Sequence, residues 1–133
     1  MKRLFIIVSL FFLATSAYAT HMRAGEITYK WINTSSDPNN PTYLTYEITI
    51  VTYTYTPSLA DRPEYDISWG DGTTSTIYRN EKINLPDSIS RNTYIGQHTF
   101  PGPYTYIISL EDPNRNGGVF NIPNSINVPF YIQ

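Results

Sequence analysis

The chain contains no cysteine. That removes disulfide staples, thiol nucleophiles, cysteine-type zinc sites and the acceptor for a lipoprotein anchor. Histidine is nearly absent too, with His21 and His98 as its only two copies. Lys and Arg are few, nine against 11 acidic residues, and they form no cluster, which argues against nucleic acid and anionic lipid surfaces as partners. No stretch carries a convincing 3.6-residue period, and ten prolines and seven glycines interrupt any long helix. Gly-x-Ser-x-Gly, His-Glu-x-x-His and a phosphate-cradling glycine loop are all missing. A catalytic histidine needs a nucleophile and an orienting acid, and no spacing here nominates them, so the expectation is a chain that is not an enzyme.

What is present begins with an export signal. Lys2 and Arg3 precede the apolar run Leu4 to Leu13, and Ala17-Tyr18-Ala19 is a small-x-small cleavage pattern. The run is too short for a membrane span of about 20 residues. The expected organisation is a signal peptide over 1–19 and one domain over 20–133, secreted or at the cell surface, with no membrane insertion after cleavage. Loss of Lys2 and Arg3 takes the formal charge from −2 to about −4. Roughly 114 residues bury enough apolar surface to fold without staples.

The mature segment is rich in Tyr, Thr and Ile and alternates with period two, which suits strands. Ile27, Tyr29 and Trp31 share a face. Leu44, Tyr46, Ile48 and Ile50 share the next, after which Thr-Tyr-Thr-Tyr-Thr leaves either both faces half-buried or a register shift at a bulge. Tyr65, Ile67 and Trp69 follow, then a return strand over Thr74 to Arg79 and a separate short piece around Ile83 and Leu85. Asn92 to Phe100 is extended. Tyr104, Tyr106, Ile108 and Leu110 form another face, and Val119 to Ile122 and Ile126 to Ile132 read as the last strands. Pro129 belongs at an edge or bulge. Short strands with frequent turns and no helix predict an all-β antiparallel sandwich. Its expected core holds Trp69, Ile48, Ile50, Ile67, Tyr104, Tyr106 and Ile108, with Gly70, Asp71, Gly72 and Gly102 setting backbone bends.

Two blocks stand out: Trp69-Gly70-Asp71-Gly72-Thr73, and His98-Thr99-Phe100-Pro101-Gly102-Pro103-Tyr104-Thr105-Tyr106. In this order they resemble the signature of PKD-type immunoglobulin-like domains, over roughly Tyr65 to Leu110. The chain departs in carrying Ser68-Trp69 where the family more often has Asp-Phe, and in a long insert between the blocks. The resemblance implies a PKD-type β-sandwich in which His98 orients its bend by hydrogen bonding. His21 to Tyr29 behind a signal peptide, with Asp112 to Gly118 later, resembles the first domain of Bacteroidetes secreted surface proteins that end in gliding-motility-associated, type IX secretion sorting domains. This implies a non-catalytic module for adhesion or spacing, either part of a larger protein or a standalone copy. Other domains of the same or neighbouring surface proteins, or glycans, are the implied partners.

Some residues invite a chemical reading. Asp112-x-Asn114-x-Asn116-Gly117 matches the front of a calcium loop, with Pro123 where the closing Glu would stand. It reads either as a polar turn or as a looser Ca²⁺ site, the latter serving an alternative function as a calcium-stabilised carbohydrate-binding module; no other cofactor is expected. Asp71 between glycines reads as a hairpin residue. His21 near the new terminus is a weak copper candidate. Tyr43, Tyr53, Tyr55, Tyr78 and Tyr94 either fill cross-strand pairs or leave an exposed row that stacks on sugars or a protein. Asp87-Ser88-Ile89 looks like a short bacterial O-glycosylation motif.

Overall fold

Alternating side chains give the chain seven strands among the residues described by the computed structural model, 22–33 and 36–133. The expected signal peptide, its cleavage site and His21 lie outside those residues. The strands are β1 (Met22–Trp31), β2 (Thr45–Tyr55), β3 (Glu64–Ser68), β4 (Thr74–Leu85), β5 (Ile89–Thr99), β6 (Ser109–Asp112) and β7 (Phe130–Ile132), with one short 3₁₀ turn at Ser125–Asn127. They pair antiparallel in the order β1-β2-β5-β4-β3-β6-β7. Split at β4, this is the A-B-E-D and C-F-G order of an immunoglobulin-like fold. No helix among the described residues is long and apolar enough to cross a membrane.

β4 is the corner. Its first half, Thr74 to Tyr78, pairs with β3, and its second half, Arg79 to Leu85, pairs with β5. The change of partner coincides with a register shift between Arg79 and Glu81, the local kink expected of a bulge. Asn80 stabilises it by accepting the Ile95 N–H on its side-chain oxygen at 2.7 Å, in place of a lost ladder bond. Ile83 and Leu85, expected as a separate short strand, therefore belong to β4. The following hairpin turns through Asp87 and Ser88, both with positive φ, and leaves Ser88 exposed at its tip.

Folding at β4 brings the two ends of the strand order together. Ile48, Ile50 and Tyr94 from β2 and β5 share one buried cluster with Tyr65, Ile67 and Leu110 from β3 and β6. Trp69, Ile77 and Phe100 complete it. Along β2 the inward face runs unbroken through Ile48, Ile50, Thr52 and Thr54. Its pairing with β5 is continuous from Thr45↔Thr99 to Tyr55↔Ile89, so the Thr-Tyr run holds register without a bulge.

Three expected strands are shorter or missing. Of Tyr104 to Leu110 only Ser109 and Leu110 join a ladder, as the start of β6, because β3 ends at Ser68 opposite Ser109. Val119 to Ile122 forms turns, started by Gly118 at φ +75° and held by the Val119 N–H on Ser125 Oγ. Of Ile126 to Ile132 only the last three residues pair, and Pro129 sits just before them, where its missing N–H costs no ladder bond.

Candidate functional site

The Trp69–Thr73 block closes a tight hairpin. The Trp69 N–H reaches the Thr73 carbonyl at 3.1 Å. Asp71 Oδ1 accepts the Thr73 N–H at 2.9 Å and the Thr73 hydroxyl at 2.6 Å, the local bonding that makes Asp a turn residue. Gly70 is required twice: its φ is +81°, and a Cβ there would stand 2.5 Å from the Ile107 carbonyl oxygen. The second oxygen of Asp71 meets His98 Nε2 at 2.7 Å. The Thr73 hydroxyl first, and His98 second, hold the Asp71 carboxyl down to about 2. His98 thus ties the hairpin to β5, and its ring stacks on Trp69 at 4.6 Å with an interplanar angle of 6°.

Trp69 is almost fully buried and donates its indole N–H to Ser75 Oγ at 2.8 Å. Gly96 makes room for it: a Cβ there would lie 3.4 Å from the indole and 2.7 Å from Ile77 Cγ2. Sequence reasoning passed over Gly96; the signal was a lone glycine inside the extended stretch Asn92 to Phe100.

From this hairpin a run of rings leads to the surface. Phe100 meets His98 edge-on at 4.8 Å and stacks on Tyr106 at 4.4 Å. Tyr46 meets Phe100 at 5.9 Å and Tyr29 at 6.2 Å, both edge-on. Tyr104 lies edge-on to Tyr106 at 6.4 Å. Such pairs hold defined geometries and stiffen the surface they form. Together they line an open groove of about 450 Å³. Ile48 and Phe100 belong to the core, Leu44, Tyr46, Tyr106 and Ile108 pack against it, and Tyr29 from β1 and Pro103 and Tyr104 from the bend are the exposed part of the lining.

Tyr104 departs from its expected place in the core, being 75% exposed. The bend at Pro101 to Pro103 starts the segment beyond the end of β3, so no sheet covers it. Gly102 does not adopt a positive φ; its lack of a side chain admits the Tyr104 ring, whose Cε2 would stand 2.6 Å from a Cβ. The Gly102 carbonyl accepts the Tyr106 hydroxyl at 2.9 Å. Of the five tyrosines considered from sequence, Tyr94 is fully buried, Tyr43 and Tyr53 are half-buried, and Tyr55 and Tyr78 are exposed away from the groove, which is flanked instead by Tyr29 at 76% and Tyr104.

The opposite end of the molecule is polar inside. Thr52, Thr54, Ser90, Asn92 and Asp112 are buried. Asp112 receives Arg62 Nε at 3.0 Å and the Tyr65 hydroxyl at 3.0 Å on one oxygen. The Asn114 N–H at 2.7 Å and Arg62 Nη2 at 3.4 Å reach the other. Burial, then the Asp112 charge, pushes the Tyr65 phenol far above its usual range. Nearby, Asp61 is held well below the carboxylate range chiefly by its hydrogen bond to Arg79, and Lys82 adds to this. These donors occupy the acceptor positions of Asp112. The Asp112–Asn114–Asn116 spacing serves as a clasp: Met22 donates to the Asn114 carbonyl at 3.0 Å and accepts from the Asn116 N–H at 2.9 Å. The anchor of the alternative calcium loop is thus turned inward against a guanidinium. Among the described residues no three His, Asp or Glu side chains converge to hold a metal.

No family model, curated protein or solved structure matches the chain.

Proposed function

We propose that the chain is a secreted, non-catalytic cell-surface module of the PKD-like kind, and that the aromatic groove is its binding face. The observation that carries this is an open groove lined by aromatic and aliphatic side chains on a stiff sheet frame. Contiguous exposed apolar surface of this kind marks interaction sites. The export signal and the two sequence blocks support an extracellular adhesion role in a Bacteroidetes surface protein. His98 is enclosed by Trp69 and Phe100 and engaged with Asp71, an arrangement that positions the hairpin.

The groove lining has no carboxylate, amide or guanidinium side chain. Sugar hydroxyls are best oriented by several such groups, and only tyrosine hydroxyls are offered here, whereas apolar side chains of a polypeptide need none. The lining therefore favours a protein partner over the glycan alternative.

The test compares the mature chain with the double variant Tyr29→Ala/Tyr104→Ala. Both side chains are mostly exposed, so the melting temperature should stay within a few degrees. Binding to cell envelopes of the producing organism should weaken at least tenfold. Unchanged envelope binding by the double variant would remove the groove from the function. A strong glycan-array signal would turn the reading to carbohydrate.

A further inference from the structure

The slot between β1 and β6 is filled along only part of its length. At one end β7 occupies it, pairing Phe130 with Asp112 and Ile132 with Leu110. The side chains of Phe130 and Ile132 point inward, with Gly25 of β1 so close that a Cβ there would lie 3.2–3.3 Å from both. Further along, the line of β6 continues backwards through Tyr104 to Ile108, whose side chains from Thr105 to Ile108 alternate between exposed and half-buried, and among the described residues no strand pairs with it. Among the described residues, no backbone hydrogen bond joins Thr105 to Ile108 to a neighbouring strand. The backbone of Ile107 faces Gly70 on the β3 side. Strand alternation then turns the N–H and C=O groups of Tyr106 and Ile108 toward the other edge, the one that β7 uses further on.

That free edge adjoins the groove of about 450 Å³. The unfilled stretch offers the two features that hold β7: a backbone edge and an inward apolar slot. Apart from Pro101 and Pro103 at its start, it also lacks the usual protection. β1, the other strand bordering the slot, carries Arg23, Glu26 and Lys30, whereas Thr105 to Ile108 carries no charge. Natural proteins guard exposed edges with charge, proline or a covering element unless the edge is used.

We infer that the groove accepts an extended strand from a partner polypeptide, antiparallel to Thr105–Ile108 and in line with β7. Its alternate side chains are apolar and enter between Tyr29 and Tyr106. This rests on the groove being the binding face and adds the class of partner. Backbone pairing supplies orientation and the alternate pockets supply selectivity, as in other strand-addition complexes. The Tyr104 N–H is taken by the Gly102 carbonyl at 3.0 Å, so four residues of edge, Thr105 to Ile108, give two inward side chains.

The probe is a capped nine-residue peptide alternating valine with threonine and lysine, added to the mature chain and followed by amide hydrogen exchange. Saturable binding should slow exchange at Tyr106 and Ile108 at least tenfold. N-methylation of the valines, whose nitrogens face the edge, should weaken binding at least tenfold, and N-methylation of the intervening residues less than twofold. Equal losses from both sets would mean groove filling without strand pairing and would overturn the inference. Absent peptide binding would also overturn it, and if the Tyr29/Tyr104 variant still loses envelope binding, the binding-face reading survives. A free protein that sediments as a dimer with Tyr106 and Ile108 already protected would make a second copy the occupant, against the proposal. Peptide binding as expected, with unchanged envelope binding by the tyrosine variant, would instead sink the binding-face reading alone.

Discussion

β2 sends one inward face through two environments. Ile48 and Ile50 enter the aromatic half beside Trp69 and Phe100, while Thr52 and Thr54 enter a polar half with Asn92 and Ser90. The Asn92 side-chain nitrogen donates to Thr54 Oγ1 at 3.0 Å, and the nearby Tyr94 hydroxyl donates to the Arg62 carbonyl at 2.6 Å. The polar half is sealed by buried Met22 and by the Arg62–Asp112 pair. The aromatic half is open at the Thr105–Ile108 edge. Simple burial economics of a soluble domain would close the apolar end and wet the polar one. The inversion is what supports the proposal of the groove as a binding face, since a sealed polar interior serves the frame and open apolar surface of this kind commonly marks interaction sites.

Trp69→Ala is the largest perturbation of the comparison. It removes the stacking partner of His98 and leaves a cavity under the groove, and should cost about 4 kcal/mol in a denaturant titration. Groove binding should weaken with it. Asp112→Ala attacks the other half. It leaves Arg62 and Tyr65 without their acceptor and should cost about 3 kcal/mol. Binding per folded molecule should stay within twofold, because the polar end does not line the groove; equal binding losses from both substitutions would break the division. A smaller effect has the opposite sign. Thr52 Oγ1 is buried and, beside the Tyr94 hydroxyl that already donates to Arg62, makes no well-aligned hydrogen bond of its own, so Thr52→Val should stabilise by about 1 kcal/mol, and destabilisation would show the hydroxyl to be engaged with Tyr94.

The smallest effect is acid sensitivity of the aromatic half. Asp71 has a folded pKa of about 2 against an ordinary 3.8. Between these values the unfolded chain binds more protons than the folded one, so stability falls with falling pH. The contribution is complete above about pH 4 and is lost as pH drops through about 2. Melting curves of the parent and of Asp71→Asn should converge over that window, and parallel curves would deny the carboxylate its role. Asp61, also held low, titrates in the same direction in both proteins and cancels in the difference.

Much of the aromatic half was legible in sequence. Period-two alternation placed Ile48, Ile50, Ile67 and Trp69 inside, and Gly70-Asp71-Gly72 announced its hairpin through positive φ and a self-bonding carboxylate. The polar half was not. The alternating Thr-Tyr run leaves open which of its faces is buried, and Arg62 and Asp112 stand 50 residues apart, so only the folded sheet reveals that they meet. β4 reads as two pieces because its bulge is held by the Asn80 side chain, which no pattern of hydrophobicity records. Tyr104 looks like core because alternation reports which face a residue takes, not whether a strand lies alongside. That depends on where β3 ends, a property of pairing length set by distant residues.

Amide hydrogen exchange in the free, processed protein tests the contrast between sealed and open halves most directly. Asn92 and Tyr94, central in β5, should exchange only through global unfolding, while Tyr106 and Ile108 should exchange at least a hundredfold faster, close to the rate of an unstructured chain. Protection at Tyr106 and Ile108 equal to that of Asn92 and Tyr94 would contradict the open edge and remove the groove as a place for a partner strand.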